Sequence, residues 1–299
     1  MIDLDEETVC ALIKSQAPDY GHLALEAVKS GGTDNTIFRL GNKLSVRLPK
    51  RLDAVSQIDK ETTWLPRLAP LPLHIPTPVF LGAPGQGFDH PWAIYQWIDG
   101  APLSQSTIED WRVSSHALSS FLLNLQAKDI SGAPRSGAQN HYRGVDLMAR
   151  DGLTRAAILN LADLYSTDAL YAIWDESLSA DPHGAAPSWL HGDLQGGNIL
   201  VANGQISAII DFGLSGVGDP ACDLMVAWSV LPPDIRSIFR ESMSCDDHAW
   251  SRGKGWALSV SVIALDFYRD RNAALSTISR QTIEAVLGKD EYGLSLGDT

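Results

Sequence analysis

His191-Gly192-Asp193-Leu194-Gln195-Gly196-Gly197-Asn198, followed past a short turn at Asn203-Gly204 by Ile209-Ile210-Asp211-Phe212-Gly213, decides how this chain is read. Asp193 and Asn198 stand five residues apart, so one tight loop can present a carboxylate toward one reactant and an amide oxygen toward another. Asp211 ends the apolar run Ser207 to Ile210, a strand-like segment expected to fix this second acid beside the loop. Phosphoryl transfer requires a carboxylate to orient and deprotonate an attacking hydroxyl, and hard oxygen donors for a divalent cation on the phosphates. Two acids and an amide are that set.

Outward from this stretch the pattern changes twice. Toward the N-terminus, Val9, Leu12 and Ile13 recur at helical spacing from Asp5 to about Ala17, and Pro18 ends the run. Thr36 to Leu40 and Lys43 to Pro49 are β-prone runs that a two-residue Gly41-Asn42 turn would join as a hairpin. Ala54 to Leu68 suits a helix, the proline-rich stretch beginning at Pro70 breaks regular structure, and Pro91 to Gly100 reads as an aromatic, β-branched strand. From Ser104 to about Leu178 apolar residues such as Leu118, Phe121, Leu122 and Leu125 return at three- and four-residue spacing, and helix resumes after Asp223. A small mixed part thus precedes a larger helical one, an α+β arrangement without repeats or low-complexity segments.

Composition narrows the function classes. With 44% hydrophobic and 20% charged residues over 299 positions, the chain can bury enough apolar surface to fold. Its net charge of −13 argues against nucleic-acid partners and anionic membrane surfaces, both of which call for basic residues. The same charge suits a cationic small molecule. Cys10, Cys222 and Cys245 are odd in number and widely separated, which fits a reducing compartment and no structural zinc. The acidic opening MIDLDEETVC does not read as a secretory signal, and the Trp256–Leu265 run is too short to span a bilayer, so a cytoplasmic protein is expected.

The His191–Asn198 run resembles the catalytic loop H-x-D-x-x-x-x-N of aminoglycoside phosphotransferases and their protein-kinase-like relatives, and Ile209–Gly213 resembles their metal-binding segment. Gly216-Val217-Gly218-Asp219-Pro220-Ala221-Cys222-Asp223-Leu224 resembles the G-x-G-D-P-x-x-D-L run of the aminoglycoside family, which ordinary protein kinases lack. The resemblance implies a protein-kinase-like two-lobed fold, with a nucleotide-binding lobe over residues 1–98 and a helical lobe over residues 99–299 carrying the catalytic loop and acceptor site. It implies ATP and Mg²⁺ as cofactors and a small-molecule hydroxyl as acceptor.

Carried over residue by residue, the resemblance makes Asp193 the catalytic base, Asn198 and Asp211 the Mg²⁺ ligands, and His191 a structural residue of the loop. Asp223 would cap the apolar helix Leu224 to Leu231. Gly31, Gly32 and Thr33 would cover the phosphates from the Ser30–Asn35 loop. Arg47 stands where the family keeps a phosphate-gripping lysine, Glu61 is its expected partner, and Lys43 lies roughly 13 Å away along the strand at about 3.3 Å per residue. The backbone of Gln96 and Ile98 falls at the interlobe hinge that holds adenine.

The acceptor stays open among aminoglycosides, macrolides, amino alcohols and sugars. Asp246, Asp247, Asp266 and Asp270 are candidates to line a site for a cationic amine, Trp228, Trp250 and Trp256 read as helix core, and His183 reads as a solvated loop residue. A nucleotide-binding protein without transfer activity is the alternative that Arg47 raises. The intact Asp193, Asn198 and Asp211 argue against it, and the same segments lack the ligands of a two-metal hydrolase.

Overall fold

The structure, a computed structural model, describes residues 4–28 and 34–289. The chain divides into two compact units, Met1–Ala101 with Ser207–Gly213, and Pro102–Ile206 with Leu214–Thr299. The segment carrying Asp211 therefore belongs with the N-terminal residues and not with the helical ones that surround it in sequence.

In the first unit, α1 (Glu6–Gln16) starts at Asp5, whose side chain accepts the Thr8 N–H at 2.7 Å, and it buries Val9, Leu12 and Ile13. β1 (Leu25–Ala27), β2 (Asn35–Leu40) and β3 (Leu44–Pro49) run antiparallel, and β3 pairs next with β5 (Trp92–Gln96), which pairs with β4 (Pro78–Gly82). Sheet and α1 close over one core of Val9, Leu12, Phe38, Leu40, Val46, Leu48, Phe88, Trp92 and Ile94. The β2–β3 register sets Leu40 opposite Leu44, so three residues join the strands where two were expected, with Gly41 at φ 58°. α2 (Val55–Leu68) buries Ile58, Leu65 and Leu68 on the same stripe as Glu61. Ser207–Gly213 is tied to this unit through His74, whose N–H donates to the Ser207 carbonyl at 3.1 Å and whose carbonyl accepts the Ile209 N–H at 2.9 Å.

The second unit opens after the two-residue β6 (Ala101–Pro102) with α3 (Trp111–Gln126), capped by Asp110 and buried along Leu118, Phe121, Leu122 and Leu125. α4 (Asp151–Asn160) and α5 (Thr167–Ser179) follow, so the span from 104 to 178 is helical in three pieces with an irregular stretch between α3 and α4. β7 (Ser188–Leu190) leads into the His191 loop, and β8 (Ile199–Ala202) and β9 (Gln205–Ile209) lead out of it. β10 (Gly216–Gly218) pairs antiparallel with β7, Leu190 opposite Gly216, and so returns the chain to the loop. The expected helix from Leu224 to Leu231 is instead a 3₁₀ segment, Pro220–Met225, running into the one-turn α6 (Val226–Ser229). α7 (Arg236–Ser242) is short; α8 (Asp247–Tyr268) buries Trp256, Leu258, Val262 and Leu265 and packs on α4, α5 and α9 (Ala273–Val286). Among the described residues no helix is long and apolar enough to cross a membrane, and the three cysteines are unpaired.

Candidate active site

The loop after β7 is held from beneath. His191 is fully buried; its Nδ1 accepts the Asp193 N–H at 3.2 Å, and its own N–H donates to Asp223 Oδ2 at 2.7 Å. Asp223 Oδ1 takes the Gly192 N–H at 2.8 Å, so this acid anchors the His191 loop and does not cap the helix that follows it. Asp219 caps the 3₁₀ segment Pro220–Met225, accepting the Ala221 N–H, and α6 has no side-chain cap. Burial pushes the Asp223 carboxyl above the usual carboxylate range, and His191, the two backbone N–H groups and Arg143 pull it back. Gly192 has φ 82°, and a β-carbon there would lie 2.7 Å from the Leu214 carbonyl oxygen, so only glycine fits.

Within the loop, Asn198 Nδ2 donates to the Asp193 carbonyl and to Asp193 Oδ2, each at 2.9 Å, and Gln195 Nε2 reaches the same Oδ2 at 3.3 Å. The amide nitrogen is thereby fixed inward, and Asn198 keeps its Oδ1 as an oxygen donor. Asp193 Oδ1 faces the Arg143 guanidinium at 3.9 Å, a neighbour far upstream that no motif pointed to. His183 is only partly solvated: its side chain is 22% exposed and lies 3.7 Å from Asp219, which also accepts Arg252 Nε at 2.8 Å.

In the first unit, Arg47 from β3 and Glu61 from α2 meet at 2.8 Å, with side chains 10% and 1% exposed. Glu61 also accepts the Tyr95 hydroxyl at 3.1 Å and the Phe212 N–H at 2.8 Å, and Arg47 Nη2 lies 4.0 Å from Asp211 Oδ1. Burial opposes the charge on Arg47, but Glu61, Tyr95 and Asp211 outweigh it and hold the guanidinium protonated. Burial raises the Glu61 carboxyl, against the pull of Arg47 and of its two further donors. Arg47 Nε is buried with no partner, an orphaned donor that suits an added anion. Asp211 takes φ 65°, a left-handed conformation uncommon for a residue with a β-carbon. Lys60, which no motif singled out, donates to the Gly213 carbonyl at 2.5 Å, and burial lowers its pKa to about 8.

Gly31, Gly32 and Thr33 lie outside the described residues. The Gln96 N–H donates to the Thr77 carbonyl at 2.9 Å, which leaves the Gln96 carbonyl and the Ile98 N–H as the groups this backbone offers a base.

The four acceptor-site acids do not converge. Asp247 begins α8 and Asp266 sits near its far end, about 28 Å along the axis at about 1.5 Å per residue. Asp246 caps α8, Asp247 pairs with Arg240, Asp266 accepts Asn160 Nδ2 at 3.0 Å and Asp270 lies 3.6 Å from Arg269. A depression of about 470 Å³ does form from Glu176, Trp228, Arg240, Asp247, Trp250 and Lys254. Trp256 and Trp228 are buried, but Trp250 is only part-buried and packs against Trp228 tilted by 45°, with ring centroids 4.7 Å apart. Ser229, next to Trp228, donates from Oγ to the Leu194 carbonyl at 3.1 Å, tying this wall to the His191 loop. Among the described residues no three His, Cys, Asp or Glu side chains converge as a metal cluster.

Residues 25–256 match the model of the phosphotransferase enzyme family. No curated protein matches the chain in sequence. Its fold is similar to that of the GDP complex of wild-type aminoglycoside 2′-phosphotransferase IIIa, at 18% identity and a TM-score of 0.72 over 96% of this chain and 100% of that one. It is similar to the streptomycin–ATP ternary complex of APH(2″)-IIa at 17% identity and a TM-score of 0.60, covering 96% and 99%. Macrolide 2′-phosphotransferase MphH from Brachybacterium faecium is matched at 20% identity and a TM-score of 0.60, covering 96% and 100%. These likenesses carry the fold, kinase-like α+β with a small antiparallel sheet and a larger helical part. The family match spans most of the chain, and the protein belongs to the phosphotransferase enzyme family as a small-molecule kinase.

Proposed function

We propose that the protein transfers the γ-phosphate of ATP to a hydroxyl of an amine-bearing small molecule, with Asp193 as the base. The observation that carries this is the catalytic loop itself: Asn198 and Gln195 occupy Oδ2 of Asp193 and leave Oδ1 toward the incoming hydroxyl. The first unit, with Arg47 held by Glu61 and one guanidinium N–H unpartnered, is the nucleotide-binding part. Arg47 grips phosphate oxygens as the family's lysine does, and the Gln96 carbonyl and Ile98 N–H hold the adenine edge, with Gly31, Gly32 and Thr33 over the phosphates. Asn198 Oδ1 and the Asp211 carboxylate are the oxygen donors for Mg²⁺, a hard cation that suits them. When bound, Mg²⁺ neutralises charge on the phosphates. Asp193 takes the hydroxyl proton while the loop keeps its carboxylate in place.

For the acceptor, the net charge of −13 suits the approach of an ammonium group, and Glu176 and Trp250 offer it a carboxylate and a part-buried indole in a depression that Arg240 and Lys254 also line, with Arg240 over the Trp250 ring. The APH(2″)-IIa structure similar in fold holds streptomycin and ATP, and macrolide 2′-phosphotransferases are similar in fold as well. Labelled ATP with kanamycin, erythromycin, choline and glucose tests the reading. Transfer to an amine-bearing compound supports it. Transfer to glucose alone would replace the acceptor class, and transfer to none of a broad panel would remove the kinase reading of the site.

A further inference from the structure

The segment from Gly137 to Gly144 is a clamped turn. Asn140, fully buried, accepts the Gly137 N–H through Oδ1 at 2.9 Å and donates from Nδ2 to the Arg143 carbonyl at 3.0 Å. The Gly144 carbonyl takes the Asp219 N–H at 2.8 Å. His141 and Tyr142 both sit in the left-handed region, φ 51° and 59°, where side chains are disfavoured and the surroundings must impose the shape. The turn delivers Arg143 onto the catalytic loop: a β-carbon at Gly192 would lie 3.2 Å from Arg143 Cβ.

The guanidinium is buried there, and although its charge helps hold Asp223 ionised, most of its donors make no hydrogen bond. Its side chain is 11% exposed, Nε and Nη1 have no partner, and Nη2 stands 3.9 Å from Asp193 Oδ1. An arginine kept for structure has its donors satisfied, because an unpaired buried donor is costly. Asp223, the other acid of this neighbourhood, is engaged by the His191 and Gly192 N–H groups. Asp193 Oδ2 is engaged by Asn198 and Gln195.

We propose that Arg143 is a further catalytic residue whose Nη2 donates to the attacking oxygen of the acceptor, in the gap in front of Asp193 Oδ1. The inference rests on the phosphotransferase reading above. At 3.9 Å the two groups are too far apart to bond each other, and one oxygen at about 2.8 Å from each bridges them. The hydroxyl then gives its proton to Asp193 Oδ1 and a lone pair to the γ-phosphorus. The bond from that phosphorus to the β–γ bridging oxygen breaks, and its electron pair leaves on ADP. Arg143 exchanges no proton, since guanidinium stays charged; it fixes where the oxygen sits.

Arg143→Met and Arg143→Lys test this with MgATP and three acceptors in parallel: kanamycin, erythromycin, and water read as phosphate release. On whichever acceptor the wild type uses, Arg143→Met should lower kcat about 100-fold, the scale of one lost charge-stabilising donor. MgADP affinity by calorimetry should stay within about twofold, and Arg143→Lys should recover about tenfold of the lost rate. Wild-type kcat in Arg143→Met overturns the inference. So does a joint fall of kcat, MgADP affinity and Tm in which Arg143→Lys does no better than Arg143→Met, the pattern of a structural residue. A wild-type enzyme that transfers phosphate to none of the three, nor to choline, glucose or the rest of a broad acceptor panel, overturns the phosphotransferase reading, and this inference with it.

Discussion

A carboxylate that is to take a proton from an incoming hydroxyl has to be held still while one oxygen stays open. Asp193 is held this way by two side-chain amides on Oδ2 and by its own N–H on His191. Replacing it by alanine should lower kcat by roughly 10²–10⁴-fold and leave MgADP affinity unchanged, because the base acts on the acceptor and not on the nucleotide. Steady-state rates beside calorimetry separate the two, and a rate within about tenfold of wild type removes Asp193 from the role. The Arg47–Glu61 pair makes a different demand. Both side chains are nearly inaccessible, so Glu61→Gln leaves a buried cation facing a neutral amide and should destabilise the fold by about 3–5 kcal/mol in urea unfolding. The double variant Arg47→Met with Glu61→Leu should regain part of that stability, since it removes the stranded charge while the Tyr95 hydroxyl and Phe212 N–H lose their acceptor. If Arg47 also grips phosphate, nucleotide binding stays lost in the double variant while that part of the stability returns. Recovery of both together would confine the pair to structure.

Helix α2 carries three contacts of different legibility. Its existence follows from apolar spacing, and Glu61 could be paired with Arg47 because the family resemblance supplies a partner. The Tyr95 hydroxyl and the Phe212 N–H on the same carboxylate lie 34 and 151 residues away, and no local pattern reports a partner brought in by the sheet or by a distant segment. Lys60, one residue before Glu61, was equally silent: a lysine on a helix reads as solvated until the Gly213 carbonyl is seen 2.5 Å away. The same limit hid Arg143, and it turned Asp223 from an expected cap into the anchor of a loop that precedes it by some thirty residues. Short strands suffered for another reason. β1 spans three residues with one half-buried and two exposed positions, too little for any alternation to register. Lys60 also gives the helix a pH signature. Burial lowers its pKa from 10.5 to about 8, so the folded state binds this proton less tightly than the unfolded chain. The penalty of charging it is full below pH 8 and fades as pH rises from about 8 to 10.5. Lys60→Met should therefore gain on the wild type at pH 7 and lose that gain by pH 10, read as the difference in unfolding free energy across the series. A difference independent of pH would place the amine in solvent.

The net charge of −13 acts on both substrates at once, and with opposite sign. A cationic acceptor approaches an attractive field that salt screens; MgATP, still anionic, approaches a repulsive one that salt relieves. Between about 0.01 M and 0.15 M salt the screening length shrinks from roughly 30 Å to 8 Å, so long-range steering is largely lost while contacts inside a site are kept. For an amine-bearing acceptor the KM should rise across this range, and the KM for MgATP should hold or fall. The field is that of the whole chain and not of four converging acids, because Asp247 and Asp266 sit at opposite ends of α8 and are engaged with Arg240 and Asn160. Single substitutions at Asp266 or Asp270 should consequently change the acceptor KM by less than about twofold, since Asp266 is engaged by Asn160 and Asp270 is one exposed charge among many. Glu176, in the depression with Trp228 and Trp250, is the contrasting position. Glu176 is itself exposed, so Glu176→Gln should raise the KM for a cationic acceptor at low salt, and the difference from wild type should shrink as salt is added. Equal effects from Glu176→Gln and from substitution of Asp266 would mean that the acceptor is drawn by charge alone, and that the indole-lined depression does not receive it.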